Sequence, residues 1–239
     1  MKKVFITLTL LLLTGSPLFA HYLWIETNAT GKSGKAQEIK VHFGEYTYGM
    51  IEEVAGDAFS NVNQFKLWVV APDGTKTELE TKAQKDHYLA YFTPKQAGRY
   101  TVLLNNNEID VIDYTQYDFG IFKTHYHAVS SFTVGKADND SSSMNPEGIT
   151  VKRISAANDE VALQVLFKGV PMEGNELKIY ISDLWSKTLT TDKEGIVRFK
   201  LPWKDTKYIV ETTTKEEVPG TYKGEDYQFI WHCATYCIL

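Results

Sequence analysis

Beyond residue 20 the chain is written in short runs of alternating apolar and polar positions. "HYLWIE", "EIKVHFG", "QFKLWVVAP", "HYLAYFTP", "GRYTVLL" and "HYHAVSSFTVG" each carry β-branched or aromatic residues at strand spacing. Turn residues separate them: "APDGT" is a Pro-Asp-Gly turn, and "TPKQAGRY" sets Pro and Gly ahead of the next strand. No helical period persists beyond about two turns. The pattern predicts an immunoglobulin-like β-sandwich over residues 21–135.

The polar stretch "GKADNDSSSMNPEG" interrupts the alternation and predicts a linker at residues 136–148, because it holds too little apolar surface to order itself. Strand signals then resume in "ITVKRIS", "VALQVLFKG", "ELKIYIS", "GIVRFKLP", "KYIVETT" and "YQFIWHCATYCIL". A second sandwich is expected over residues 149–239. The fold class is therefore all-β, with two immunoglobulin-like domains in tandem. The halves share an architecture but no sequence repeat that aligns.

The first twenty residues follow other rules. Lys2 and Lys3 precede an apolar run from Val4 to Leu13, and "GSPLFA" then ends in a small residue, Ala20. That is the three-part layout of a secretory signal peptide, predicted here for residues 1–20. The run is shorter than the roughly 20 apolar residues of a membrane-spanning helix. No cysteine follows it to carry a lipid anchor. A periplasmic chain beginning at His21 is expected, with no membrane insertion after cleavage.

Charge narrows the partners. A net charge of -5 and a pI near 5.7 argue against nucleic acid, whose binders carry a basic face. The mixed-sign runs "DKEG" and "TKEEV" read as solvated turns. The 14 Tyr and 12 Phe suit strands. No Gly-x-Ser-x-Gly elbow, His-Glu-x-x-His pair, phosphate loop or dinucleotide fingerprint occurs, and carboxylates such as Glu26, Glu45 and Asp183 are scattered. An enzyme is not expected.

The candidate chemistry lies in six histidines. Cleavage after Ala20 would give His21 a free α-amino group beside its imidazole, two nitrogens able to chelate one ion. One further imidazole would complete a three-nitrogen site suited to copper(II). Leu23, Trp24 and Ile25 follow at once and should tie this terminus into the sandwich. His125 and His127 share a strand face about 7 Å apart, close enough to hold one ion or to support each other. The competing reading makes both packing histidines with bonded polar tips. His232 is a reserve ligand, and Glu45 a candidate to orient an imidazole. His42 and His87 stand alone in strand-like contexts and read as structural. Cys233 and Cys237 would lie about 13 Å apart on one face of a regular strand, too far for a disulfide. They read as buried thiols, facing away from His232.

These residues carry a resemblance. "HYLWIE" after a signal segment, then Phe43-Gly44-Glu45, the closing "HYHAVSSFTVG", Gly169 to Pro171, the Thr191 to Gly195 turn and a last strand with His232, Ala234 and Thr235 follow one order. That order resembles a bacterial periplasmic family of unknown function formerly described as a NikM-like, substrate-specific component of nickel uptake. Cys233 and Cys237 depart from its pattern. The resemblance implies two β-sandwich domains, export, and a role in uptake or homeostasis of nickel, cobalt or copper beside an outer- or inner-membrane uptake component. The expected function is metal binding through His21, His125, His127 and His232, with copper or nickel as the ion. The rival is a non-metal module presenting aromatics of "FGEYTYGM" and "VIDYTQYDFG" to a glycan, peptide or outer-membrane partner.

Overall fold

Each run of alternating residues named above forms a strand. In chain order the main ones are Tyr22–Thr27, Gln37–Glu45, Lys66–Val70, Tyr88–Phe92, Gly98–Asn106, Gly120–Val134, Ile149–Ile154, Val161–Phe167, Glu176–Ile181, Ile196–Phe199, Tyr208–Glu216 and Phe229–Ile238. The computed structural model describes residues 21–136, 145–154, 156, 160–203 and 205–238. The expected signal segment and residues 137–144 of the expected linker lie outside the described residues. Sequence reading passed over the strands Val111–Tyr114 and Trp185–Thr190. The longest described helix is one turn, Asp57–Ser60, so the protein is all-β as expected. Among the described residues no helix is long and apolar enough to cross a membrane.

The strands build three layers. The central layer is a large sheet in which Trp185–Thr190, Glu176–Ile181, Tyr208–Glu216, Phe229–Ile238, Gly120–Val134, Gly98–Asn106 and Lys66–Val70 lie side by side. Its middle is a parallel pair. Gly120–Val134 runs alongside Phe229–Ile238 from Phe122 opposite Phe229 to Val129 opposite Tyr236. Strands from both sides of the 136–148 segment thus share one sheet.

Alternation sends neighbouring side chains of that sheet to opposite layers. Ala128, Phe132 and Val134 pack with Leu23, Ile25, Ile39, Val41 and Phe43, which come from the antiparallel sheet of Tyr22–Thr27, Gln37–Glu45 and Tyr88–Phe92. Val129, Ala234 and Tyr236 pack the other way, against Ile149, Val151, Leu163, Val165 and Val197 of a sheet formed by Ile149–Ile154, Val161–Phe167 and Ile196–Phe199. The central sheet is therefore a wall with a distinct apolar core on each side.

Candidate metal centre

The histidine site follows from one strand period and one register. His125 and His127 leave the Gly120–Val134 strand on the face turned to the Ile149–Ile154 sheet. Parallel pairing sets His125 opposite His232, so all three imidazoles meet on one side of the wall. The His127 and His232 rings are nearly coplanar, 13° apart, with centroids 5.2 Å apart. His125 meets His232 edge-on at 5.1 Å, and Phe167 closes over His232 at 4.9 Å. His127 and His232 are almost wholly buried, at 3% and 1% exposure.

The hydrogen bonds fix the tautomer of His232. His232 Nε2 lies 3.0 Å from Glu216 Oε2. A carboxylate only accepts, so this nitrogen carries a proton. His127 Nδ1 lies 2.8 Å from Asn105 Oδ1 and 3.2 Å from Asn145 Nδ2. The first can accept from this nitrogen and the second can donate to it, so the contacts suit either tautomer of His127. His127 Nε2 faces the His232 Nδ1 lone pair at 2.9 Å. With His127 Nδ1 accepting from Asn145 Nδ2, Nε2 carries the proton and donates it to His232, and both rings stay neutral.

The surroundings oppose a positive charge on any of the three rings. Burial, then the neighbouring His232 and His125, hold His127 well below the usual imidazole range. Burial also lowers His232, although Glu216 works against it. His125 is pushed down to about 4, first by burial and then by His232. Burial thus keeps all three rings neutral, the form in which an imidazole can ligate a metal. Burial raises the Glu216 carboxyl, but bonds from Lys168 and His232 outweigh that and keep it below the usual range, so Lys168 already neutralises it.

Gly148 keeps the space beside the pair open. A Cβ there would lie 2.1 Å from His127 Nε2 and 2.2 Å from its Cε1. Any other residue would fill the position against the ring nitrogen. The supporting residues Asn105, Asn145, Gly148 and Glu216 escaped the sequence reading, which took "TKEEV" for a solvated turn. Glu216 instead ends the Tyr208–Glu216 strand, on the same face as Thr214, which pairs with His232. The only signal was strand alternation continuing through "TTTKE", and it gave no partner.

His21 does not join this group, which corrects the expected pairing with His125 or His127. It lies across the central sheet, on the side of Phe43 and Tyr126. Its Nε2 is 2.8 Å from Glu52 Oε1, and its ring is 5.3 Å from Phe43. Continuing the ladder from Tyr22 opposite Gly44 brings His21 opposite Glu45. Cys233 and Cys237 are free and buried, as expected, and burial raises both thiols. His42 and His87 prove to be neighbours, with ring centroids 5.3 Å apart. Among the described residues no three His, Cys, Asp or Glu side chains already stand in metal-holding range. At the histidine trio the fit rests on two donors and a third ring close by.

A three-layered all-β chain with a buried histidine cluster on one face of its central sheet is the class defined so far. It belongs to the family described as "Domain of unknown function (DUF4198)", whose profile matches residues 18–216. No curated protein matches the chain. Among solved structures, a DUF4785 family protein from Legionella pneumophila is similar over 79% of this chain, at 11% identity and a TM-score of 0.31. Salmonella alpha-2-macroglobulin reacted with methylamine is similar over 92%, at 14% identity and a TM-score of 0.31. A biofilm-associated protein BSP domain covers 88%, at 9% identity and 0.24. The chain spans 51%, 15% and 29% of those three chains.

Proposed function

We propose that this is an exported transition-metal-binding protein of metal uptake or homeostasis. It holds copper or nickel between His127 and His232, with His125 as the neighbouring third donor. One observation carries the reading: His127 Nε2 and His232 Nδ1 face each other at 2.9 Å within a buried trio of imidazoles, and His232 Nε2 is held by the Glu216 carboxylate. Ligating histidines are oriented in this way, the distal N–H bonded to a carboxylate or an amide carbonyl. Imidazole ligands suit copper and nickel. A metal on the line between the two ring nitrogens, about 2.05 Å from each, needs them about 4.1 Å apart, so the pair must open by about 1.2 Å from its 2.9 Å contact. Binding would exchange the hydrogen bond between the rings for two metal–nitrogen bonds. The likeness to a family once described as nickel-uptake components supports the same reading, with an uptake component of the envelope as partner. His21 is left as a separate locus across the sheet.

Equilibrium dialysis of the chain from His21 onward against copper(II) and nickel(II) tests this. His127→Ala and His232→Ala should each weaken one binding equivalent by tenfold or more. Equal affinity in wild type and both variants would sink it.

A second reading has an observation of its own. On the His21 side of the wall, Tyr114, Phe119, Phe122, Tyr126 and Trp231 line a cavity of about 340 Å³. Aromatic walls of that size suit a small ligand such as a sugar ring. Protein purified from the periplasm without metal, yet retaining an organic ligand, would favour this module.

A further inference from the structure

Strand alternation puts Phe122, Thr124 and Tyr126 on one face of Gly120–Val134, and Trp231 and Cys233 on the same face of Phe229–Ile238. Parallel pairing sets Thr124 opposite Trp231 and Tyr126 opposite Cys233, while Thr213 pairs with Cys233 from the other side. Together they floor the cavity of about 340 Å³ on the His21 side of the wall. Its two ends differ in chemistry.

One end is a cluster of rings. Phe119 meets Phe122 edge-on at 5.0 Å and Trp231 edge-on at 5.2 Å, and Tyr114 stands edge-on to Phe122 at 5.6 Å. Phe229 backs Phe122 in a stack at 5.4 Å and 11°. Flat apolar rings pack against such walls, offset or edge-on, at centroid distances of about 4.5–7 Å.

The other end carries charge. Lys178 lines it and pairs in register with Glu211, which pairs in turn with Thr235. Thr235 lies four residues beyond Trp231, so the lysine's row stands about 13 Å along the sheet from the indole's. Burial keeps Glu211 protonated up to about 8, so near neutral pH it leaves the lysine charge uncancelled. The Glu176 carboxylate lies 3.4 Å from Lys178 Nζ, but both side chains are exposed and solvent weakens the pair. His21 is tied to Glu52 at 2.8 Å, which leaves Lys178 as the cation of the cavity. Among the described residues no carboxylate or carboxamide side chain lines the cavity. An anion there meets a cation and no opposing charge, whereas the many hydroxyls of a buried sugar meet few partners.

We infer that this cavity binds an aromatic carboxylic acid, its ring packed against Trp231 and Phe119 and its carboxylate held by Lys178. The inference rests on the second reading above, that the cavity takes a small organic ligand, and narrows rings in general to an aromatic acid. It does not depend on the histidine trio, which lies across the sheet. A charge-assisted bond to the ammonium fixes the acid end, and stacking fixes the ring end.

Hydrocinnamate is the probe, and hydrocinnamyl alcohol is its uncharged match. Both are titrated by calorimetry at pH 7 into the chelator-treated chain from His21 onward, so that no metal takes part. The acid should bind at least tenfold more tightly than the alcohol. Lys178→Met should bring the acid down to the alcohol's affinity and leave the alcohol unchanged, and Trp231→Leu should weaken both. Lys178 is exposed, so its replacement leaves the core in place, and unchanged circular dichroism will show that. Equal affinity for acid and alcohol in the wild type, or an acid affinity indifferent to Lys178→Met, overturns the aromatic-acid assignment while the small-ligand reading stands. Glucuronate bound as tightly as hydrocinnamate overturns it too, in favour of a sugar. No binding of hydrocinnamate, its alcohol or glucuronate overturns this inference and the small-ligand reading together.

Discussion

Glu211 shows how one residue can work against its surroundings. It is 6% exposed on the Tyr208–Glu216 strand, and its Oε1 has no hydrogen-bond partner. Burial, with the Glu45 carboxylate adding to it and Lys178 opposing, pushes its carboxyl up to about 8. Tyr22 and Cys233 stand near it as further titratable neighbours, both themselves raised by burial. The folded acid thus holds its proton far above the ordinary 4.5. Its contribution to stability is full below that value and is lost as pH rises through about 8. Glu211→Gln should flatten the decline and stabilise the fold at pH 8 by about 2 kcal/mol. Urea unfolding at pH 5 and pH 8 measures it, and a wild type and variant that fall in parallel would refute it. None of this was legible beforehand. A Glu in an alternating strand looks like any outward-facing charge until a second layer is known to cover it. His125 and His127 were legible as a same-face pair because strand alternation is local. Asn105 and Glu216 were not, because their link to the imidazoles depends on which strands are neighbours.

Neighbouring strands make the site, and pairing is the least local part of a β fold. Parallel pairing of Gly120–Val134 with Phe229–Ile238 brings His125 and His232 together across more than a hundred residues of chain. Parallel partners leave no hairpin turn between them for a sequence to reveal. His42 and His87 escaped the same way. Each looked isolated until Gln37–Glu45 and Tyr88–Phe92 paired. The turn into Ile149–Ile154 adds a steric demand, since Gly148 lies against His127. Gly148→Ala should push that ring aside and cost about 1–3 kcal/mol. It should also weaken copper binding with His127 itself intact. A thermal melt paired with a copper titration tests both, and unchanged values would mean that the His127 ring yields freely.

The whole molecule joins what the chain pattern suggested were two units. The twelve long runs were readable, because alternation and turn residues are written locally, whereas Val111–Tyr114, Trp185–Thr190 and short strands such as Lys76–Glu78 and Gly220–Tyr222 were not. The expected boundaries at 135 and 149 follow a real change in composition. Yet strands from either side form one central sheet, with one apolar core on each face. Calorimetry should therefore record a single cooperative unfolding transition for residues 21–239, and two resolved transitions would contradict that coupling. The same wall divides the histidines. His21, prominent in the sequence as the first residue after the expected cleavage, lies on one side, and the trio lies on the other. A crystal of the copper-loaded chain, with anomalous scattering measured at the copper edge, separates the two directly. A peak between His127 Nε2 and His232 Nδ1 is the predicted result. Copper at His21 and Glu52 alone, with none at the trio, would contradict it.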